Sequence, residues 1–552
     1  MTPIVSDASG FSLPDDQRKV IRWNIYFGFA VLAVGVLFGL GQALNYAGVN
    51  IFQYYPGVRT YYEGLTIHGV LNALVLTSVF GNGFMALTTA RGLGRPLNGF
   101  LLRSSFWTLV IGTVMAACAI VAGKATVLYT FYAPLQAHWT FYLGLTLVVV
   151  STWLTSAALL VALRGWRREH PGERIPLLAF MSIATYVMWD VASVGLAIEV
   201  VVLLLPWSLG LVAGSDPMLS RTLFWFTGHP IVYYWLLPVY VSWYGMIPKQ
   251  AGGALFSDTL TRVAFVMFIL LVPVGFHHQF TDPGVGAGLK FAIAFLTFAI
   301  FFPSLMTAFG VMYALEIAGR WNGGKGLVGW FLRIRWSDPS VCAQVLAMCA
   351  FLFGGISGLM NASYSMNLVV HNTTFIVGHF HLTLATTVAL SYMGIAYWMV
   401  PYLAQKRLWS PRLAVAQAVS YFAGVAIFAH GLMAGGLEGM PRRTALSIGN
   451  YSLPSWHIPG VIGAVGGSIM MASVALFFFI LVATILSREE VKIADIPFTE
   501  TVQPPSQDGW QARLDWFHYW VYASIVIIAI MYGPFVMHHL PPMLSARGFT
   551  NY

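Results

Sequence analysis

A chain of 552 residues that is 58% hydrophobic and only 9% Asp, Glu, Lys and Arg lacks the roughly 25% charge with which a soluble domain meets water. Apolar runs recur along its whole length, with a mean hydropathy of +0.73, which excludes disorder and collagen-like structure and predicts an all-α, polytopic membrane bundle. The net charge of +9 comes without a basic run interleaved with aromatics, so it argues for membrane topology rather than for nucleic acid.

The N-terminal stretch is polar and holds acids ahead of the first apolar run, unlike a cleaved signal peptide. Runs long enough to cross about 30 Å of hydrocarbon predict about thirteen spans. They begin with 22–46, with 65–90 carrying His68, and with 104–122 and 139–164. Span 178–204 contains Asp190 and Glu199, and span 220–247 contains His229, Tyr233, Tyr240 and Tyr244. Span 260–281 ends on His277 and His278, and span 287–318 carries Ser304, Thr307 and Glu316. After 341–364 comes 372–400 with His379 and His381, followed by 414–438, 458–486 and a separate last span at 516–540. No polar linker is long enough to divide the chain, so residues 1–552 are expected to form one domain, its core helices at about 22–486. The alternating loops share Lys and Arg 22 to 7, which predicts a cytoplasmic N-terminus and a C-terminus outside. Cys118, Cys342 and Cys349 lie in apolar spans without paired spacing, the pattern of small buried residues rather than of a disulfide or a cysteine-ligated metal.

Fourteen histidines are the exceptional feature, because ionisable side chains in hydrocarbon are expensive and usually functional. With the sidedness above, His68, His229, His277, His278, His379 and His381 all fall within roughly 15 Å of the outer surface. One histidine alone is most simply a packing residue. Six in one layer on four helices predict metal or haem ligation. At about 100° per residue, His379 and His381 point some 200° apart, so one helix faces two centres. His277 and His278, with His229 from the neighbouring span, can offer three nitrogens to one ion, copper more readily than zinc.

The segments LTIHGVLNA, WFTGHPIVYYWLLP, VGFHHQF and VGHFHL, in this order along the whole chain, resemble subunit I of the haem-copper oxygen reductases. GHPIVY in place of GHPEVY resembles the B family. The resemblance implies a terminal respiratory oxidase that reduces O2 to water and takes up and pumps protons. It implies His68 and His381 as axial ligands of a low-spin haem, expected to be of b type, and His379 as the ligand of a high-spin haem of a, o or b type. His229, His277 and His278 would hold CuB. Tyr233, one helical turn from His229, would be cross-linked to it and supply an electron and a proton. Arg442, Arg443 and His371 would meet the haem propionates, with Asn367 standing where the family usually has an aspartate. Trp225 and Tyr129 resemble family residues near the active site.

The loop 91–103 has no aspartate and the GHPIVY motif no glutamate, so the D-type channel of the A family is not encoded, and span 287–318 also lacks a mid-membrane lysine. Tyr233, Tyr240, Tyr244, Ser304 and Thr307 resemble the single proton path of the B family, with Gly310 where a further threonine is common. Asp190, Glu199 and Glu316 are read as structural or interfacial acids. Without paired cysteines this chain cannot hold a dinuclear copper, so the resemblance implies a subunit II that does, possible company from a small helical subunit, and electrons from cytochrome c, a cupredoxin or quinol. It also implies the plasma membrane of a prokaryote. Two alternatives stand beside this reading. A nitric oxide reductase would use non-haem iron with nearby glutamates and would lack Tyr233. A secondary transporter would show broken helices at mid-membrane and no need of convergent histidines.

Overall fold

Several helices start on the same local signal, a side-chain cap followed at once by proline. Asp216 accepts the Leu219 N–H (2.8 Å), Asp338 the Val341 N–H (3.0 Å) and Ser410 the Leu413 N–H (3.4 Å). Each cap precedes a proline at the first helical position, where its fixed φ and missing donor cost nothing. A computed structural model describes residues 12–274, 277–282, 285–491, 493, 496–499, 501–503 and 509–545, but not the side chains of Val274, His277, Phe535, Val536 and residues 538–545.

The long helices are α1 (Asp15–Tyr46), α2 (Tyr61–Leu93), α3 (Gly99–Val121), α4 (Trp139–Glu169) and α5 (Leu177–Ser208). Then come α6 (Pro217–Gly228), α7 (Pro230–Gly245) and α8 (Asp258–Leu271). The remainder are α9 (Ala287–Trp321), α10 (Pro339–Ala362), α11 (Thr374–Ala404), α12 (Pro411–Leu437), α13 (Pro454–Leu486) and α14 (Phe517–Ser545). Among the described residues eleven helices are long and apolar enough to cross a membrane. The expected spans 220–247 and 260–281 are carried instead by shorter pieces. The first is interrupted at His229 between α6 and α7, and α8 ends at Leu271 in a short 3₁₀ turn, Val272–Val274. Outside the helices, Leu255–Ser257 and Thr501–Gln503 form a two-stranded parallel ladder with Leu255 opposite Thr501.

Three of the helices widen into π turns, at Val70–Leu76 in α2, Glu199–Leu204 in α5 and His381–Leu390 in α11. Such turns insert one residue into the helical register and are frequent at functional sites. In α11 the Thr386 hydroxyl donates to the His381 carbonyl (2.8 Å) and Thr387 to that of Leu382 (3.1 Å), five residues back in each case. A capping box, Thr60 with Glu63, starts α2 eight residues ahead of His68.

The start of α14 is fastened by buried charge. Asp515 accepts from Arg174 Nε (3.0 Å), Arg262 Nη1 (2.8 Å) and the Ile175 N–H (2.8 Å), while Arg262 also pairs with Asp258. Arg262 is 1% and Asp515 7% exposed, so these carboxylates and guanidiniums are fixed by one another rather than by water.

Candidate metal centre

Two cavities meet inside the bundle, one of about 370 Å³ and one of about 180 Å³. His229, Tyr233, His278, His371, His379 and Ser304 line the larger, whereas His68, His381, Tyr129 and Arg443 line the smaller. Val232, Trp235, Phe380, Leu384 and Arg442 belong to both walls. The opposed directions expected of His379 and His381 are therefore present, with Phe380 between them.

In the smaller cavity the rings of His68 and His381 are parallel within 6° and their centres lie 6.4 Å apart. That is too far for a ring contact. A metal–imidazole bond is about 2.0–2.1 Å and the ring centre lies about 1.1 Å behind the nitrogen, so two imidazoles bound end-on to one ion would be about 6.2–6.4 Å apart. The protonation needed for this is held by the backbone. His68 Nδ1 donates to the Gly35 carbonyl (2.9 Å) and His381 Nδ1 to the Val377 carbonyl (2.8 Å), leaving each Nε2 lone pair for a metal. The close fit of α1 against His68 requires a glycine, since a Cβ at Gly39 would stand 2.7 Å from the ring.

His379 repeats the arrangement in the larger cavity. Its Nδ1 faces Ser357 Oγ at 2.9 Å, and because that hydroxyl donates to the Gly354 carbonyl (2.9 Å) it accepts from the imidazole. His229 and His278 approach with Nδ1 and Nε2 3.4 Å apart, and His278 is stacked on Trp225, ring centres 3.9 Å apart. The side chain of His277 lies outside the described residues. Among those described, no three His, Cys, Asp or Glu side chains gather on one point, so the described part of the expected trio is a pair. Tyr233 is near that pair, its ring centre 5.3 Å from that of His229 at 77°. Below it on α7, Tyr240 and Tyr244 are buried against Ser304 and Thr307 of α9. Neither phenol makes a direct hydrogen bond among the described residues.

Arginines gather over both cavities. Arg443 donates to the Tyr129 hydroxyl (2.7 Å) and lies 4.7 Å over its ring. Arg442 donates to Asn372 Oδ1 (3.1 Å). The Nε of each is buried without a partner, and Arg443 is held at φ +58°, a conformation that costs a non-glycine residue about 1 kcal/mol or more. Burial and then the neighbouring Arg443 hold the Arg442 guanidinium down, to about 10. Two adjacent, mutually repelling cations, each with a buried Nε without a partner among the described residues, call for anions, which fits haem propionates. His371 lines the larger cavity, its Nδ1 facing Asn367 Oδ1 and its Nε2 facing Thr281 Oγ1, both at 3.1 Å. Burial, then Arg442, Arg221 and Arg443, hold it down to about 4, so at neutral pH it is an uncharged hydrogen-bonding group.

Sequence reasoning did not find Ser357, Asn72 beside His68 (3.2 Å), or the Arg221–Asp282 ion pair (2.8 Å). Ser357 lies 22 residues from its histidine, and no spacing rule links them. Asp190 accepts from Ser156 (2.5 Å), Glu199 from Ser220 (2.6 Å), and Glu316 pairs with Arg320 on its own helix (2.5 Å).

Residues 19–469 match the family described as cytochrome c and quinol oxidase polypeptide I. Over 96% of this chain and 97% of the relative, the sequence is 42% identical to cytochrome c oxidase subunit 1 of Thermus thermophilus. It is 25% identical to cytochrome c oxidase polypeptide 1 of Halobacterium salinarum, over 81% and 77% of the two chains. The cryo-EM structure of a haem-copper terminal oxidase dimer superposes with a TM-score of 0.89 at 34% identity, covering 99% of this chain and 94% of that one.

Proposed function

Because the chain belongs to the cytochrome c and quinol oxidase polypeptide I family, and is thereby the membrane-embedded catalytic subunit of a haem-copper terminal oxidase that works beside other subunits, we propose that its two cavities divide the work of holding electrons and handling oxygen. The bound haems and copper supply electron transfer and the reduction of O2 to water. Everything else is done by the chain.

In this reading His68 and His381 hold the low-spin haem, of b type, through Nε2, and His379 holds the high-spin haem, of a, o or b type. His229, His278 and His277 hold CuB. The observation that carries it is the fixed tautomer of three imidazoles. Gly35, Val377 and Ser357 each accept an Nδ1–H, at 2.9, 2.8 and 2.9 Å, which aims three Nε2 lone pairs at the cavities and raises their basicity. Arg442 and Arg443 receive the propionates, and His371 adds a neutral hydrogen-bonding group above the larger cavity. Tyr233 stands beside His229 as the source of a proton, and an electron, at its phenolic oxygen.

Protons reach Tyr233 along Tyr244, Tyr240, Thr307 and Ser304. Thr307 donates to the Pro303 carbonyl (2.9 Å), so its oxygen can accept from the cavity side. The phenols stand close to these hydroxyls but short of direct bonding, and bridging water completes the relay. With more cationic loops on the side of the N-terminus, that end is cytoplasmic and protons enter there, with pumped protons leaving on the opposite face. A prokaryotic plasma membrane, a subunit II with a dinuclear copper, and cytochrome c or a cupredoxin as donor complete the reading. A nitric oxide reductase or a transporter is not favoured by the family found.

The purified complex tests this directly through its visible spectrum, pyridine haemochrome, copper content, and oxygen consumption with reduced cytochrome c, a cupredoxin or quinol. One six-coordinate and one carbon-monoxide-reactive haem, with oxygen consumption, are expected. A single haem class, or no copper beyond that of subunit II, would overturn the assignment.

A further inference from the structure

Glu199 is 0% exposed and opens the π turn of α5. Its Oε1 accepts from Ser220 of α6 (2.6 Å), while Oε2 is buried without a hydrogen-bond partner. Among the described residues the groups facing it are few. From α6 come Ser220 and, one residue on, Arg221, which is turned away to Asp282 (2.8 Å) and the Tyr132 hydroxyl (3.2 Å). The helix α4, which carries Tyr142, packs against this π turn. Among the described residues Ser220 is the hydrogen-bond partner of Glu199, and no ion pair reaches it. A fully buried carboxyl with neither counter-ion nor complete hydrogen bonding is expensive in the charged form and, inside a membrane protein, marks a proton or ion path by default.

Its neighbours give the path two ends. Ser220 Oγ also accepts the Ala133 N–H (3.1 Å), so the carboxyl abuts residues adjacent in sequence to Tyr132 and Arg221, which belong to the arginine and tyrosine cluster over the cavities. On the far side the Tyr142 hydroxyl donates to the Leu135 carbonyl (3.3 Å) and accepts the Ala137 N–H (3.0 Å). Leu135 is 44% exposed, so this loop reaches the surface.

We propose that Glu199 is a proton-carrying carboxyl on the outward route, receiving protons from the side of Arg221, Tyr132 and the Arg442–Arg443 pair and releasing them past Tyr142 to the loop at 133–138. One O–H bond of the carboxyl breaks as the proton leaves outward, and an equivalent bond forms when the next arrives. No electrons move. The role rests on the reading that the enzyme pumps protons.

Glu199→Gln is a clean test because the amide oxygen keeps the bond from Ser220. In the complete complex reconstituted into vesicles, E199Q should retain the haem spectrum and oxygen consumption within about twofold of the parent, yet eject less than about half as many protons per electron. The redox-induced infrared difference spectrum should lose one protonated-carboxyl band. Glu199→Asp should restore ejection, and Ser220→Ala should shift the same band. Ejection by E199Q equal to that of the parent would overturn the role, as would an S220A spectrum identical to the parent's should E199Q fail to assemble. Parent vesicles that ejected no protons would instead overturn the pumping reading, and this role with it.

Discussion

The two cavities share five wall residues and a helix, yet they hold their histidines differently. In the smaller, both imidazoles are tied to backbone carbonyls and stand parallel at 6.4 Å. A metal there would be held by His68 and His381. In the larger, of about twice the volume, His379 enters against a side-chain hydroxyl, with His229, His278 and Tyr233 in the same lining. Fixed tautomers on opposite sides suit a centre that only passes electrons. Asymmetric ligands, open volume and a phenol suit one that binds a substrate and protonates it.

The division is most severely tested by exchanging its two central residues one at a time. His379→Ala should abolish the high-spin haem signal and leave the six-coordinate one, and His381→Ala the reverse, each lowering oxygen consumption by more than about a thousandfold. Optical spectra of both variants decide it. If they lost the same haem, the two-face geometry of α11 would be wrong. Next in size, Tyr233→Phe should leave both haems and the copper in place and slow turnover about a hundredfold. The smaller cavity also has phenols in its wall, Tyr46, Tyr61 and Tyr129, but Tyr233 is the one set beside His229, so normal turnover with full cofactor content would erase the contrast.

A smaller effect probes the different anchors. Ser357→Ala removes the side-chain acceptor of His379, and should weaken retention of the high-spin haem about tenfold while sparing the low-spin one. Equal loss of both, measured by haem titration, would mean that the hydroxyl supports the whole bundle rather than one ligand. The mildest is Thr307→Val, which should slow turnover about threefold without altering either spectrum. Unchanged proton uptake there and in Tyr244→Phe would remove the stripe on α7 and α9 as the supply to the larger cavity.

Much of this contrast is legible before folding. The spacing of His379 and His381 already turns them to opposite faces, and Arg442 with Arg443 stands out as a cationic pair between two apolar runs. Three features were hidden for physical reasons. A π turn adds one residue to the register, so a 3.6-residue period cannot announce it. The break at His229 divides a run whose apolarity is continuous, because proline at 230 ends a helix without changing hydropathy. Ser357 and Asp282 meet their partners across 22 and 61 residues, through packing alone. By contrast, Thr60-Tyr61-Tyr62-Glu63 was a readable start signal for α2 and bears on where His68 falls.

The cluster around Asp515 also has a meaning in time. Arg174 and Arg262 precede this carboxylate by 341 and 253 residues, so a chain threaded into the bilayer as it is synthesised exposes both guanidiniums long before the shared anion exists. Throughout that interval Arg262 has Asp258, four residues earlier, as its anion, and the buried cluster is one carboxylate short. Arrival of residue 515 supplies that carboxylate and fastens the start of α14. Maturation thus closes on a single late event, which makes biogenesis of the oxidase, rather than its chemistry, the process most exposed to loss of this one aspartate.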